Sequence, residues 1–157
     1  MAQRAVAKDH ADDHIAAIAA LTRAVGDPLR SGVLRVLERE AFSVGELCEV
    51  FGVSQPALSH HLKLLLQAGW VTTHRDGTHN YDRRTLLDPK DANTPVFDSI
   101  FRRIDATPIA ESTAAAIARI HATREEHSQA FFRSNADDFA EQQALIAEPT
   151  VYRGAAI

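Results

Sequence analysis

The chain has 157 residues, 45% of them hydrophobic, and a formal net charge of −4. That length supports one domain with a genuine core plus appended helices, and no stretch is long and apolar enough to span a bilayer. A single cysteine excludes an intrachain disulfide framework, and no apolar run follows Met1-Ala2-Gln3-Arg4 as a secretory signal requires. A cytoplasmic protein without membrane contact is therefore expected.

The first predicted element is a helix over residues 11–25, with Ile15, Ile18, Thr22 and Val25 in one stripe. Asp27 caps a second helix that has Pro28 at its first position, turns Leu29, Val33, Val36 and Leu37 inward, and ends near Glu40. A short third helix covers Val44 to Phe51, with Leu47, Val50 and Phe51 on one side. Gly52-Val53-Ser54 then makes a tight turn into a fourth helix. A helix, a turn with glycine and a second helix form the helix-turn-helix arrangement.

The fourth helix is the most informative stretch. Ser54 is placed to accept from the free amides of the first turn, Pro56 sits where a missing amide hydrogen costs little, and Gly69 follows the last periodic residue. Leu58, Leu62, Leu65 and Leu66 fall at helical spacing on an apolar face. Ser59, His60, Lys63 and Gln67 point away from it. Short hydrogen-bonding groups and one cation suit base edges and phosphates, although an ordinary amphipathic surface helix would share this pattern.

Residues 70–75 are β-prone, Asp76-Gly77 is a hairpin turn signal, and residues 80–85 return as a second strand. This hairpin reads as a wing, with Arg75, Thr78 and His79 near its tip, in reach of a phosphate or the minor groove. A polar, proline-bounded linker covers residues 87–95. Val96 to Asp105 is a short helix carrying Phe97, Ile100, Phe101 and Ile104. Thr107-Pro108 looks like the start of a further helix running to about Ala147, with Ile117, Ile120, Phe131, Phe132, Phe139 and Ile146 as apolar positions. The expected domains are a winged helix-turn-helix over residues 11–86 and a helical extension over 96–148. The fold class is mainly α, with a two-stranded β-hairpin wing and extra N- and C-terminal helices.

Net charge does not advertise nucleic acid, but its distribution does. Ser54 to Arg84 carries +2 with four histidines, whereas Glu111 to Ile157 carries −3. A mildly basic half and an acidic tail imply modest non-specific binding. A long terminal helix on a small winged domain lacks core to bury its apolar side, and pairing across a two-fold axis is the simplest remedy. Ile15, Ile18, Ile117 and Ile120 are expected near that interface, the other reading being that they pack within one subunit.

The runs Gly26-Asp27-Pro28-Leu29-Arg30, Gly45-Glu46-Leu47-Cys48, Ser54 to Leu62, and Ala68-Gly69-Trp70-Val71 together resemble the ArsR/SmtB family of bacterial transcriptional repressors. The resemblance implies a homodimeric winged-helix repressor, not an enzyme, that leaves double-stranded operator DNA when a small-molecule effector binds. It points to the start of the fourth helix as the major-groove reader: Ser54, Gln55, Ser59 and His60, with Lys63 on phosphate. Where the family often has a hydroxyl residue, this chain has Pro56.

The family's metal site in the third helix uses two nearby thiolates. Cys48 matches the first and Val50 stands at the second. One thiolate beside Glu49 is a poor soft-metal site, and Cys48 reads as a small buried apolar residue. His121 and Glu125 lie one turn apart and could share a metal, but they and His127 equally suit a solvated helix face. No metal ligand set is assigned. The tail around Phe131, Phe132, Phe139 and Tyr152 is similar to the segment that joins regulator to enzyme in ArsR-type regulators fused to S-adenosylmethionine-dependent methyltransferases. That similarity implies S-adenosylhomocysteine or a related metabolite as effector, with those aromatics near it. Simple packing at helical spacing is the other reading of them. A metal-responsive repressor and a regulatory fragment of a regulator–methyltransferase fusion are the alternatives.

Overall fold

A computed structural model describes the backbone of residues 2–146 and the side chains of residues 13–135. Among the described residues the order is α1 (Ala2–Val25), α2 (Pro28–Val36), β1 (Phe42–Ser43), α3 (Val44–Phe51), α4 (Gln55–Gln67), β2 (Val71–Asp76), β3 (His79–Arg84), α5 (Thr94–Asp105) and α6 (Glu111–Ile146). This is a winged helix-turn-helix: α3 and α4 form the motif, and β2 and β3 the wing. The chain divides into two units, Met1–Ala116 and Ile117–Ile157.

Local chemistry sets the helix boundaries. Asp27 caps α2 by accepting from the Arg30 amide at 3.0 Å. Ser43 and Glu46 make a reciprocal capping box at the start of α3. Gly52 ends α3 at φ +64°, a left-handed conformation that a Cβ would disfavour. Three boundaries differ from expectation. The second helix stops at Val36, with Leu37 as its C-terminal cap and the Leu37 amide donating to the Val33 carbonyl. Ser54 occupies the cap position of α4 without a side-chain capping bond. Thr107-Pro108 does not start a helix: the Thr107 hydroxyl and amide bond back to Arg103 and Ile104 and finish α5, so α6 begins at Glu111.

The sheet has one strand more than a simple hairpin. Its order is β1-β3-β2, antiparallel throughout, with Phe42 opposite Asp82 and Ser43 opposite Tyr81. In the wing Val71 faces Arg84 and Asp76 faces His79, so the loop residues are Gly77 and Thr78 rather than Asp76-Gly77. A strand of two residues is too short to show periodicity, and its phenylalanine gave no separate signal.

The core of the first unit centres on Trp70, which is fully buried. Its ring lies 4.3 Å from Phe97 and 5.3 Å from Phe101, centroid to centroid, and its Nε1 donates to the Leu21 carbonyl at 3.1 Å. One side chain thus ties α1 and α5 to the start of the wing. A buried aromatic of this kind contributes roughly 3–5 kcal/mol by truncation. Leu58, Leu62 and Leu65 bury the inner face of α4, but Leu66 is exposed, so it lies outside that face. Among the described residues of α1, Leu21 and Ala24 are buried, while Ile15 and Ile18 are 67% and 44% exposed.

The second unit is helical through Ile146. Ile120 is buried within the single chain, Ile117 is half-buried, and Phe131 and Phe132 are exposed. The Phe139 side chain and Tyr152 lie outside the described residues.

Candidate nucleic-acid interface

Burying Leu58, Leu62 and Leu65 turns the opposite side of α4 to solvent. Ser54, Gln55, Ser59, His60 and Lys63 are all exposed, so the helix brings them together along one open face. Among the described residues the side chains of these five make no hydrogen bond or ion pair, and the His60 ring meets the His61 ring edge-on at 6.0 Å. Hydroxyl, amide, imidazole and ammonium groups that are solvated and unspent are suited to exchange water for base edges and phosphate oxygens.

The wing supplies a second set. Arg75, Thr78 and His79 are exposed at its end. The Arg75 Nε donates to the Gly77 carbonyl at 3.2 Å, and the Thr78 hydroxyl lies 3.2 Å from the His79 Nδ1. These bonds stiffen the tip and leave the outer guanidinium nitrogens of Arg75 directed at no described partner.

What holds α4 in place was not singled out from the sequence. Arg30, on α2, donates to the Ala24 carbonyl and, at 3.0 Å, to the Arg23 carbonyl, both at the C-terminal end of α1. Its other terminal nitrogen lies 3.4 Å from His61 Nδ1 on α4, and Asp27 lies 3.7 Å from that same nitrogen. The Arg30 amide, first, and then the nearby charges of Arg30 and His61 hold the Asp27 carboxyl below its ordinary range. One cluster therefore joins α1, α2 and α4. The run Asp27-Pro28-Leu29-Arg30 carried the signal, but its arginine read as part of a motif rather than as a brace.

The wing is anchored separately. Arg84, at the end of β3, donates from Nε to the Leu34 carbonyl at 2.7 Å and pairs with both carboxylate oxygens of Asp105 at 2.9 and 2.5 Å. Its guanidinium also lies 4.3 Å over the Phe101 ring. Asp82 is the buried charged residue of β3. It accepts from the Thr73 hydroxyl at 2.5 Å, and burial pushes its carboxyl above the ordinary range.

The sensing residues are less concentrated. Cys48 is half-buried and burial raises its thiol. Among the described residues no three His, Cys, Asp or Glu side chains converge as a metal set. His121, Glu125 and His127 are exposed on α6. Phe131 and Phe132 are neighbours with rings 6.1 Å apart and are 65% and 69% exposed, so among the described residues they enclose no pocket.

Known proteins agree with this geometry. The family model for a helix-turn-helix domain matches residues 25–74. The chain is 37% identical over 59 residues to the transcriptional repressor SdpR of Bacillus subtilis, spanning 38% of this chain and 66% of that one. It is 34% identical over 97 residues to the HTH-type transcriptional regulator KmtR of Mycobacterium tuberculosis, spanning 62% and 72%. The crystal structure of the transcriptional repressor BigR from Xylella fastidiosa superposes with a TM-score of 0.51 at 24% identity, over 66% of this chain and 98% of that one, and shares the fold. The chain belongs to the ArsR/SmtB family of winged helix-turn-helix transcriptional regulators.

Proposed function

We propose that this regulator is a homodimeric, sequence-specific repressor that a small molecule releases from its operator. The observation that carries the reading is the open face of α4, where Gln55, Ser59, His60 and Lys63 stand together and unspent beside a wing bearing Arg75, Thr78 and His79. In this reading Ser54, Gln55, Ser59 and His60 read the major groove, Lys63 holds a phosphate, and the wing tip reaches the flanking backbone.

Ile15 and Ile18 support the dimer. They are large, exposed and one helical turn apart on α1, and an exposed apolar pair on a regular helix is suited to a partner surface. A two-fold axis there would set two recognition helices against successive half-sites. Ile117 is half-buried and Ile120 buried, so Ile15 and Ile18 carry this argument and Ile120 supports the fold of its own chain. The C-terminal extension, residues 96–148, is assigned to dimerisation and sensing.

For the effector, the tail's similarity to methyltransferase-fused regulators supports S-adenosylhomocysteine or a related metabolite, bound near Phe131, Phe132, Phe139 and Tyr152. Metal sensing is the second reading, and Cys48 or the His121–Glu125 pair would carry it.

Two measurements test the proposal. Light scattering should give a dimer mass for the wild-type chain and a monomer mass for Ile15→Asp with Ile18→Asp; a dimer in both would reject the α1 interface. Calorimetric titration with S-adenosylhomocysteine, run beside zinc, should give saturable heat with the nucleoside and weaken operator binding. A zinc signal alone would transfer the sensor to the metal reading.

A further inference from the structure

Beneath the helix-turn-helix lies a cavity of about 280 Å³, formed by α2, the end of α3 and the α5–α6 connection, all within the first unit. Its walls include Gly32 and Val36 of α2, Phe51 of α3, Ile104 of α5, and Ile109 and Thr113 beyond it. We propose that this cavity binds a small, neutral, largely apolar molecule, of one or two rings, and that its occupancy lowers operator affinity. The proposal rests on the operator-binding reading above and is independent of the tail.

The ligand class follows from the lining. Among the described residues no carboxylate lines the space, and the charge at its edge is already used. Arg35 donates from Nε to the Thr107 carbonyl at 2.9 Å and pairs with Glu38. The Ser31 hydroxyl is likewise spent, donating to the Val25 carbonyl at 2.8 Å. A charged ligand would lose its hydration with no counter-ion to replace it, whereas an apolar one gains about 25 cal/mol for each Å² it removes from water. The volume lies at the small end of ligand pockets, which start near ~300 Å³, and so favours a fragment-sized molecule.

The position gives the site its leverage. Phe51 is the last residue of α3 and is followed directly by Gly52, the turn into α4. Its ring rests on Gly32: a methyl group at that glycine would sit 3.2 Å from Phe51 Cε1. Contact between α2 and the base of the helix-turn-helix therefore depends on an uncovered patch of α2 backbone. The same helix α2 carries Arg30 and is capped by Asp27, and both face His61 of α4. A molecule entering beside Phe51 acts at once on the turn and on the helix that braces the reader. The Arg35–Thr107 bond holds the 107–110 segment over the cavity as its outer wall.

The test uses 2-naphthol as probe on the full chain, by calorimetry and by anisotropy of labelled DNA from upstream of its own gene. Wild type should bind one 2-naphthol per chain saturably, and saturation should weaken operator binding at least fivefold. Ile109→Trp, which fills the cavity from its loop side, should weaken 2-naphthol at least tenfold and remove its effect on operator binding. If that variant melts early, Thr113→Leu serves in its place. Absence of saturable binding, equal binding by wild type and variant, or binding that leaves operator affinity unchanged would each overturn the proposal. A wild-type chain that binds no DNA without probe would reject the operator reading instead, and the 2-naphthol titration of the variant would still decide the cavity.

Discussion

Arg84 anchors the wing to the body of the domain, and its removal should be felt as lost stability. The side chain is 11% exposed and its partner Asp105 27% exposed. Arg84→Ala deletes a bidentate pair, a bond to the Leu34 carbonyl and a cation over Phe101. Breaking a fully buried pair costs roughly 3–5 kcal/mol because it strands a charge. Asp105 keeps some access to water, so the expected loss is smaller, about 2–3 kcal/mol. At roughly 2–4 °C per kcal/mol for a chain of this size, Tm should fall by about 4–12 °C. Arg84→Lys keeps the charge but not the planar fork, and should recover less than half of that loss. Thermal melts of both variants and of Asp105→Ala provide the assay, and a double-mutant cycle between Arg84 and Asp105 should give a coupling of about 1–2 kcal/mol. A loss under about 1 kcal/mol for Arg84→Ala, or a coupling near zero, would show that the pair is spectator geometry.

Three other outcomes follow from the same reasoning. Lys63→Ala should weaken operator and random DNA alike, and reduce the slope of log affinity against log salt by about one per contact removed, measured by anisotropy from low to moderate salt. Gly52→Ala should cost about 1 kcal/mol in denaturant unfolding, a purely conformational loss, because nothing lies within 4 Å of the added Cβ yet φ is +64°. Burial raises the Asp82 carboxyl, so the folded chain holds that proton more tightly than the unfolded chain does. Stability from this group is present at low pH and is lost as pH rises from the ordinary carboxylate range through the folded value. Asp82→Asn, which still accepts from Thr73, should therefore be more stable than wild type at neutral pH, with the gap closing in acid; a constant gap across pH would contradict the assignment.

Much of this architecture was legible in the chain. Val44–Phe51 is legible to the residue from its apolar side and the Gly52 turn that follows, and the structure adds a capping box at its start. The wing strands are legible from β-branched residues and a glycine turn, although the turn sits one residue later than the Asp-Gly signal suggests. The open face of α4 follows from leucine spacing alone, except that Leu66 lies past the edge of the buried arc. Other features depend on long-range partners that no local pattern encodes. β1 exists because β3 offers it an edge. The Arg30–His61 brace spans 31 residues, and the Arg84 anchor joins elements 21 and 50 residues apart. The cavity beside Phe51 is shaped by a glycine whose lack of a side chain matters only once α3 is folded against it.

The most direct test of the central claim is anisotropy with a labelled fragment from upstream of the gene, comparing wild type with Gln55→Ala combined with Ser59→Ala. Both side chains are exposed and make no described hydrogen bond within the chain, so the double variant should fold and melt as wild type does. The account predicts that it loses its preference for the operator over random DNA while its weak, salt-sensitive binding persists. Undiminished preference for the operator would place sequence reading elsewhere and contradict the account.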